Sequence, residues 1–272
     1  MEKGDVIGCG REAEVIYWGN DRVLKLFYKN FPSSIIDFRF KVDTLIGNIF
    51  PNCPKAFEKI EENARFGILY EFIEGITLNK TLAQNKKISK STKILAELHV
   101  KMHKYEITAF NNQKNVLVKA INETNLLQND QKKEIINYLD TLPDGNKICH
   151  MDFHFENIII SKNKLYVIDW ANACSGNPNC DVARTYYVLK YGLGSTDEQY
   201  IKKSFIHRSL LRVAKSLVAK SYIKHYLKLT DKSKKEIKKW DLAIYASRLR
   251  EGIPLENEKL LKMISKLLKH HK

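Results

Sequence analysis

The stretch His150-Met151-Asp152-Phe153-His154-Phe155-Glu156-Asn157 sets two histidines and an aspartate at alternate positions, then a carboxamide, then three isoleucines. On an extended segment His150, Asp152 and His154 would share one face and could hold a divalent metal for hydrolysis. In a loop, the same aspartate could instead orient an attacking hydroxyl and accept its proton. The residues that follow, "NIIISKNKLYVIDW", are two short apolar runs around Ser161-Lys162-Asn163-Lys164, the composition of a β-hairpin. A turn centred on Asn163 puts Ser161 opposite Leu165 and, by extension, Asn157 opposite Asp169, with Cβ atoms about 5 Å apart. Two hard oxygen donors at the open end of a hairpin suit Mg²⁺ or Mn²⁺ and leave coordination positions for phosphate oxygens and water. A nucleotide site is the simplest use of that convergence, with Asp152 facing the same space as a proton acceptor.

Near the start, "IGCGREAEVIYW" places Gly8, Gly10 and Ala13 before Val15. Backbone amides without side chains can approach a triphosphate closely, although an ordinary glycine turn has the same pattern. A dinucleotide fold would require a helix directly after the glycines, and "EVIYW" reads as strand. Lys25, in "RVLKLF", is either a solvent-facing lysine on an amphipathic strand or a ligand for nucleotide phosphates.

The elements that must position these residues change character along the chain. Before residue 75 the runs "EVIYW", "RVLKLF" and "RFGILYEFI" are β-branched or aromatic and separated by turn signals. One helix interrupts them at "SSIIDFRFKVDTLIGNIF", with Ser33 or Ser34 as cap and Ile36, Phe40, Asp43 and Gly47 along one face. Helical periodicity dominates afterwards, in the run ending at Tyr105 and over much of 116–140, 200–228, 233–249 and 256–270. This predicts an α+β, bilobal chain: a β-rich lobe over 1–74 and a mainly helical lobe over 75–272.

Bulk properties narrow the function. With 272 residues, 44% of them hydrophobic, the chain can bury a core. No apolar run reaches the roughly 18 residues of a membrane span, and the first ten residues lack the pattern of a secretion signal, so a soluble, cytoplasmic protein is expected. The five scattered cysteines have no CxxC spacing, which argues for reduced thiols and against structural zinc. The net charge of +15 invites a nucleic-acid partner. However, residues 195–272 hold 20 Lys or Arg against 8 Asp or Glu at helical spacing, the pattern of solvated helix faces. No finger, helix-turn-helix or aromatic-interleaved basic stripe supports nucleic acid.

The ordered set Gly8-x-Gly10-x-x-Ala13-x-Val15, Lys25, "HMDFHFEN", "IDW" at 168–170 and "CDVAR" around Asp181 resembles the aminoglycoside phosphotransferase and choline kinase family, which has a protein-kinase-like fold. That family typically shows HGDxHxxN, IDW or IDF, and a following DxA. The resemblance extends over nearly the whole chain, through "GILYEFIEGITL" and "YASRLREGI". It implies Asp152 as catalytic base, Asn157 and Asp169 as metal ligands, and Lys25 on the α and β phosphates. It further implies that Gly8, Gly10, Ala13 and Val15 shape a loop over ATP (or GTP), that backbone groups of Glu71, Phe72 and Ile73 meet the base, and that Asp181 and His150 brace the catalytic loop.

Two departures stand out. Met151 occupies the usual glycine, tolerable if its φ is negative, and no glutamate lies between Val15 and Phe57 to pair with Lys25. Asp37 is the expected substitute, at the start of the helix, with Asp43 the alternative.

The reaction implied is Mg²⁺-dependent transfer of a γ-phosphoryl group to a hydroxyl of a small molecule: an aminoglycoside, an amino alcohol or a sugar. A protein kinase is the nearer alternative, but only about a dozen residues separate Asp169 from Asp181, little room for a peptide-docking segment. The His150/Asp152/His154 hydrolase is the other. Aminoglycosides are polycations and call for an acidic pocket, for which Asp152, Glu156, Asp197, Glu198 and Glu251 are candidates. Trp240 and Tyr245 could wall a cation, with core packing the plainer role for both.

Overall fold

A computed structural model describes residues 4–108, 111–162, 164–192 and 204–271. The chain divides into two compact units, one of residues up to 85 with 155–172, the other of 86–154 with 173 onward.

The first unit is built on a five-stranded antiparallel sheet in the order β1-β2-β3-β5-β4. Its strands are β1 (Val6–Cys9), β2 (Ala13–Gly19), β3 (Arg22–Phe27), β4 (Ala56–Glu62) and β5 (Arg65–Glu71), with α1 (Ser33–Ile49) between β3 and β4. Side chains alternate across the sheet. Leu24 and Leu26 join Ile16 and Leu69 on one face, while Phe27 joins Ala13, Ile36 and Ile68 on the other. By the same alternation Lys25 belongs to the face that carries α1. Gly67 keeps β5 close to β3, since a Cβ there would lie 2.6 Å from Leu24 Cδ1.

Helix α1 forms where expected, but its cap position is Pro32, with no side-chain cap bond, so neither serine caps it. Proline at that point presets the entry φ and gives up no N–H that the helix needs. Strand β4 was not anticipated. Its mostly exposed, charged sequence gives no apolar run to find.

The hairpin around 162 also belongs to this unit. Strand β8 (Ile158–Ser161) is central in a three-stranded sheet, paired with β9 (Lys164–Val167) on one side and on the other with short β6 (Ile76–Thr77), which leads into α2 (Leu78–Asn85). Gly75 permits that approach, because a Cβ would lie 2.3 Å from the Ile160 carbonyl oxygen. The hairpin register differs by one from the expectation: Ser161 pairs with Lys164 and Ile158 with Val167. The closing pair Ser161–Lys164, with Lys162 at φ +50, suits the strand twist better than the register expected from a turn centred on Asn163. Asn157 therefore lies across from Ile168, whose N–H donates to the Asn157 carbonyl at 3.0 Å, and Asp169 is one residue further on.

The second unit holds α3 (Ile88–Met102), α4 (Gln113–Glu123), α5 (Asn129–Asp140), α6 (Pro178–Tyr191), α7 (Phe205–Lys228), α8 (Lys234–Lys238), α9 (Asp241–Arg248) and α10 (Pro254–His271). A two-stranded ladder of β7 (Lys147–Cys149) and β10 (Cys174–Gly176) lies with them. Helix α6 went unseen in the sequence. It is buried nearly all round, so it lacks the one-sided periodicity that marks a surface helix. No helix among the described residues is long and apolar enough to cross a membrane.

Candidate active site

Strand β7 delivers the chain to His150-Met151-Asp152, and the loop is pinned from α6. Asn177 caps that helix by accepting from the Asn179 N–H, which places Asp181 in the first turn. The carboxylate of Asp181 accepts the His150 N–H (2.7 Å) on one oxygen and the Met151 N–H (2.8 Å) on the other. Arg184 Nε, one turn on, donates to the Met151 carbonyl (3.2 Å), and the Asp152 N–H donates to His150 Nδ1 (3.2 Å).

Met151 adopts φ +61, so the condition on which a side chain is readily tolerated there, a negative φ, is not met. A side chain in this left-handed region costs about 1 kcal/mol, and the three bonds to its peptide groups offset that. Its sulfur, buried, accepts from Gln113 Nε2 at 3.4 Å.

Asp152 is set up as an anion. Burial alone would raise its pKa, but His154, whose Nε2 is 3.4 Å from the carboxylate, together with Arg184 and His150 holds it well below the usual range. His150 is fully buried, and its ring serves the loop backbone. The turn at Met151 breaks the extended geometry that would align His150, Asp152 and His154. Among the described residues those three do not form a group placed to share a metal, and the hydrolase reading loses its site.

The first unit carries the remaining candidates. Lys25 Nζ is 2.9 Å from Asp169 Oδ1, across 144 residues of chain. Asp169 has φ +63 and follows the hairpin. The next residue, Trp170, is anchored by its Nε1–H to the Val167 carbonyl (3.1 Å) and by an edge contact with Phe50.

The expected pairing of Lys25 with Asp37 is not what forms. Asp37 pairs with Lys59 on β4. Asp37 is one position past buried Ile36 and so about 100° round the helix, whereas Asp43, seven past it, returns to the buried face. There Asp43 accepts the Tyr70 hydroxyl, and its pKa is raised to about 6. Burial is the main cause, opposed by Tyr70 and by the nearby Lys25 charge.

In the glycine loop the Gly10 N–H donates to the Ala13 carbonyl at 2.8 Å, closing the β1–β2 turn. Neither Gly8 nor Gly10 has a positive φ, and a Cβ at either would make only ordinary contacts. The turn itself does not require glycine at either position. At the end of β5, the Glu71 and Phe72 N–H groups are bonded to the Lys55 and Asp21 carbonyls, so the 71–73 stretch is itself held to the sheet. A cavity of about 480 Å³ borders Glu71 to Glu74 with Asp21 and Tyr166, and neither Lys25, Asn157 nor Asp169 lines it.

Of the acidic acceptor candidates, Glu251 pairs with Arg184 and Arg248, and Glu156 with Asn79. Asp197 and Glu198 lie outside the described residues. Trp240 and Tyr245 are core residues.

Sequence reasoning missed the buried partners of Asp181, which are His99 and His103 on α3 and, behind them, Tyr222 and Tyr226 on α7. The spacing His99-x-x-x-His103 in "ELHVKMH", one turn of helix, is the signal that could have found them.

Comparison with known proteins bears on the fold and the family. The model of a phosphotransferase enzyme family matches residues 36–209. A protein of Metamycoplasma hominis described as "Protein LicA homolog" is 27% identical over 208 residues, which is 69% of this chain and 80% of that protein. Among solved structures, an apo thermostable mutant of aminoglycoside phosphotransferase APH(4)-Ia aligns at TM-score 0.62 and 14% identity, covering 98% of this chain and 94% of that one. An aminoglycoside-3'-phosphotransferase of type VIII aligns at TM-score 0.59 and 12% identity, with 90% and 93% covered. A streptomycin–ATP complex of APH(2")-IIa aligns at TM-score 0.53 and 17% identity, with 99% and 91% covered. The fold is thus that of these kinase-like enzymes, and the chain belongs to the phosphotransferase enzyme family.

Proposed function

We propose that this phosphotransferase moves the γ-phosphoryl group of ATP, or of GTP, to a hydroxyl of a small molecule in a Mg²⁺-dependent reaction. The carrying observation is Asp152, an ionised carboxylate on a loop whose neighbouring peptide groups are held by Asp181 and Arg184. In the step itself, the acceptor oxygen forms a bond to the γ-phosphorus as the bond to the β–γ bridging oxygen breaks. Asp152 takes the acceptor proton and the nucleoside diphosphate leaves.

General-base assistance of this kind contributes about 10²–10⁴ in rate. Lys25 is suited to the α and β phosphates, and the thin loop at Gly8, Gly10, Ala13 and Val15 to covering them, with Glu71 to Ile73 near the base. Asn157 and Asp169 supply the hard oxygens that suit Mg²⁺, which when bound neutralises charge developing on the phosphates.

The acceptor is read as a small alcohol. The segment from Asp169 to Asp181 is taken up by a short turn at Trp170–Asn172, by β10 and by the start of α6, which supports a small molecule over a peptide. The solved relatives named above are aminoglycoside enzymes, one with streptomycin bound. Here, though, Glu251 spends its charge on two arginines within a basic helical region, which favours an amino alcohol or a sugar over a polycation.

A panel of alcohols, sugars and aminoglycosides incubated with MgATP and read for a mass gain of one phosphate tests the reading. One acceptor should gain the group, and Asp152→Asn should lose at least 10²-fold in kcat with nucleotide affinity nearly intact. Unchanged turnover in that variant would remove Asp152 from the chemistry.

A further inference from the structure

Behind Asp181 stands a buried two-rung ladder of side chains. His99 and His103 lie one turn apart on α3, and Tyr222 and Tyr226 one turn apart on α7, which packs against it. His99 Nε2 is 3.1 Å and His103 Nε2 3.3 Å from the same oxygen of Asp181. On the far side of each ring, His99 Nδ1 is 2.6 Å from the Tyr222 hydroxyl and His103 Nδ1 is 3.1 Å from that of Tyr226. All five side chains are buried.

An ionised carboxylate only accepts, so each histidine must present Nε2–H to Asp181. His99 is neutral, its pKa lowered to about 3 mainly by burial and further by His103, so its Nδ1 accepts the Tyr222 O–H. For Asp181, burial raises the pKa, but the two histidines outweigh it and hold the value well below the usual range. His99, His103 and Asp181 are also close enough together to hold a metal. However, both carboxylate oxygens already take backbone N–H groups and both rings are bonded on each side, so the hydrogen-bond inventory closes without one.

His99 makes a second contact with the same loop. Its ring stacks on Phe153, centroids 4.1 Å apart and planes 20° from parallel. Asp152 thus has one neighbour, Met151, tied to Asp181 and the other, Phe153, stacked on His99. Met151 meanwhile sits in a backbone conformation that a side chain resists.

We infer that His99 and His103 are positioning residues, which, through Asp181 and Phe153, hold the His150–Met151 peptide in its left-handed turn and so fix the place of Asp152. Its consequence for turnover rests on the phosphotransfer proposed above, while its consequence for the loop does not.

The test uses the full chain with His99→Leu, His103→Leu, the conservative His99→Gln, and each leucine variant combined with Met151→Gly. Glutamine can still donate to Asp181, and glycine adopts the left-handed turn without cost. Amide hydrogen exchange at His150 and Met151 should be at least 10-fold faster in each leucine variant and near wild type in His99→Gln. It should return part of the way when Met151→Gly is added, with amides of α4 and α10 unchanged throughout.

Alongside, kcat for MgATP-dependent transfer, or for ATP hydrolysis if no acceptor is in hand, should fall about 10-fold or more at unchanged nucleotide KM, with the same pattern of rescue. Unchanged exchange at His150 and Met151 would overturn the inference. So would exchange rising equally across the second unit, which would mean general loss of packing, or an absence of rescue by Met151→Gly. If exchange follows the expected pattern but wild type and variants alike turn over no nucleotide, the positioning stands and the phosphotransfer reading falls.

Discussion

Asp181 and Asp169 are twelve residues apart and carry the same carboxylate, yet the fold treats them in opposite ways. Asp181 is fully buried with four N–H donors around it, two from backbone and two from histidine rings. The Asp169 side chain is 45% exposed and meets Lys25, itself 24% exposed. A buried, closed network is rigid, and each unsatisfied member is costly. A half-exposed ion pair can exchange its partner for a ligand at little cost, since such pairs contribute at most about 1 kcal/mol. The loop that carries Asp152 is therefore prebuilt, whereas the Lys25–Asp169 pair remains able to rearrange.

Removing each carboxylate should separate the two roles. Asp181→Ala leaves two ring and two backbone N–H groups buried without their acceptor, and a loss of about 3–5 kcal/mol in urea unfolding is expected. Asp169→Ala should cost under about 1 kcal/mol in the same experiment, while abolishing the thermal shift produced by MgATP. Equal stability losses would erase the contrast between a built loop and an adaptable ion pair.

Asp43 tests whether the Lys25 side of the molecule also contains a strained charge. Its folded pKa is raised to about 6 from the ordinary 3.8, chiefly by burial. The folded state thus binds this proton more tightly than the unfolded chain. The stabilisation it contributes is complete below about pH 4 and is lost as pH rises through about 6. Asp43→Asn keeps an acceptor for the Tyr70 hydroxyl and removes the charge. The variant should gain on wild type between pH 4 and 7, by up to about 3 kcal/mol at pH 7, seen as a widening gap in urea midpoints. A constant gap across that range would mean that Asp43 titrates normally.

The candidate residues were legible because they are carried by local spacing. The aspartate and asparagine of "HMDFHFEN", the "IDW" after an apolar run and Lys25 in an alternating strand are each fixed by a few neighbouring residues. The hairpin was legible, but its register was not, since a turn of two residues and one centred on Asn163 differ by a single position and only backbone twist decides between them. Helix α6 and the ladder behind Asp181 were hidden for another reason. Residues buried on every side show no amphipathic period, and a contact spanning 82 residues, as between His99 and Asp181, leaves no trace in local pattern.

The smallest expected effect concerns the partner of Lys25. A lysine on this strand normally pairs with a helix carboxylate, and Asp37 was the natural choice at the start of α1. The helix decides otherwise: a step of one residue from buried Ile36 turns Asp37 toward Lys59, and a step of seven brings Asp43 back to the core. Asp37→Ala removes an exposed pair and should change stability by no more than about 0.5 kcal/mol. It should leave the MgATP thermal shift at its wild-type value, and Lys59→Ala should behave the same way. If Asp37→Ala instead weakened nucleotide binding as Asp169→Ala is expected to, Lys25 would have to exchange Asp169 for Asp37 during binding, and α1 would have to rotate to permit it. That rotation would expose Asp43 to water, so it would also lower the Asp43 pKa toward 3.8 and flatten the pH dependence between 4 and 6.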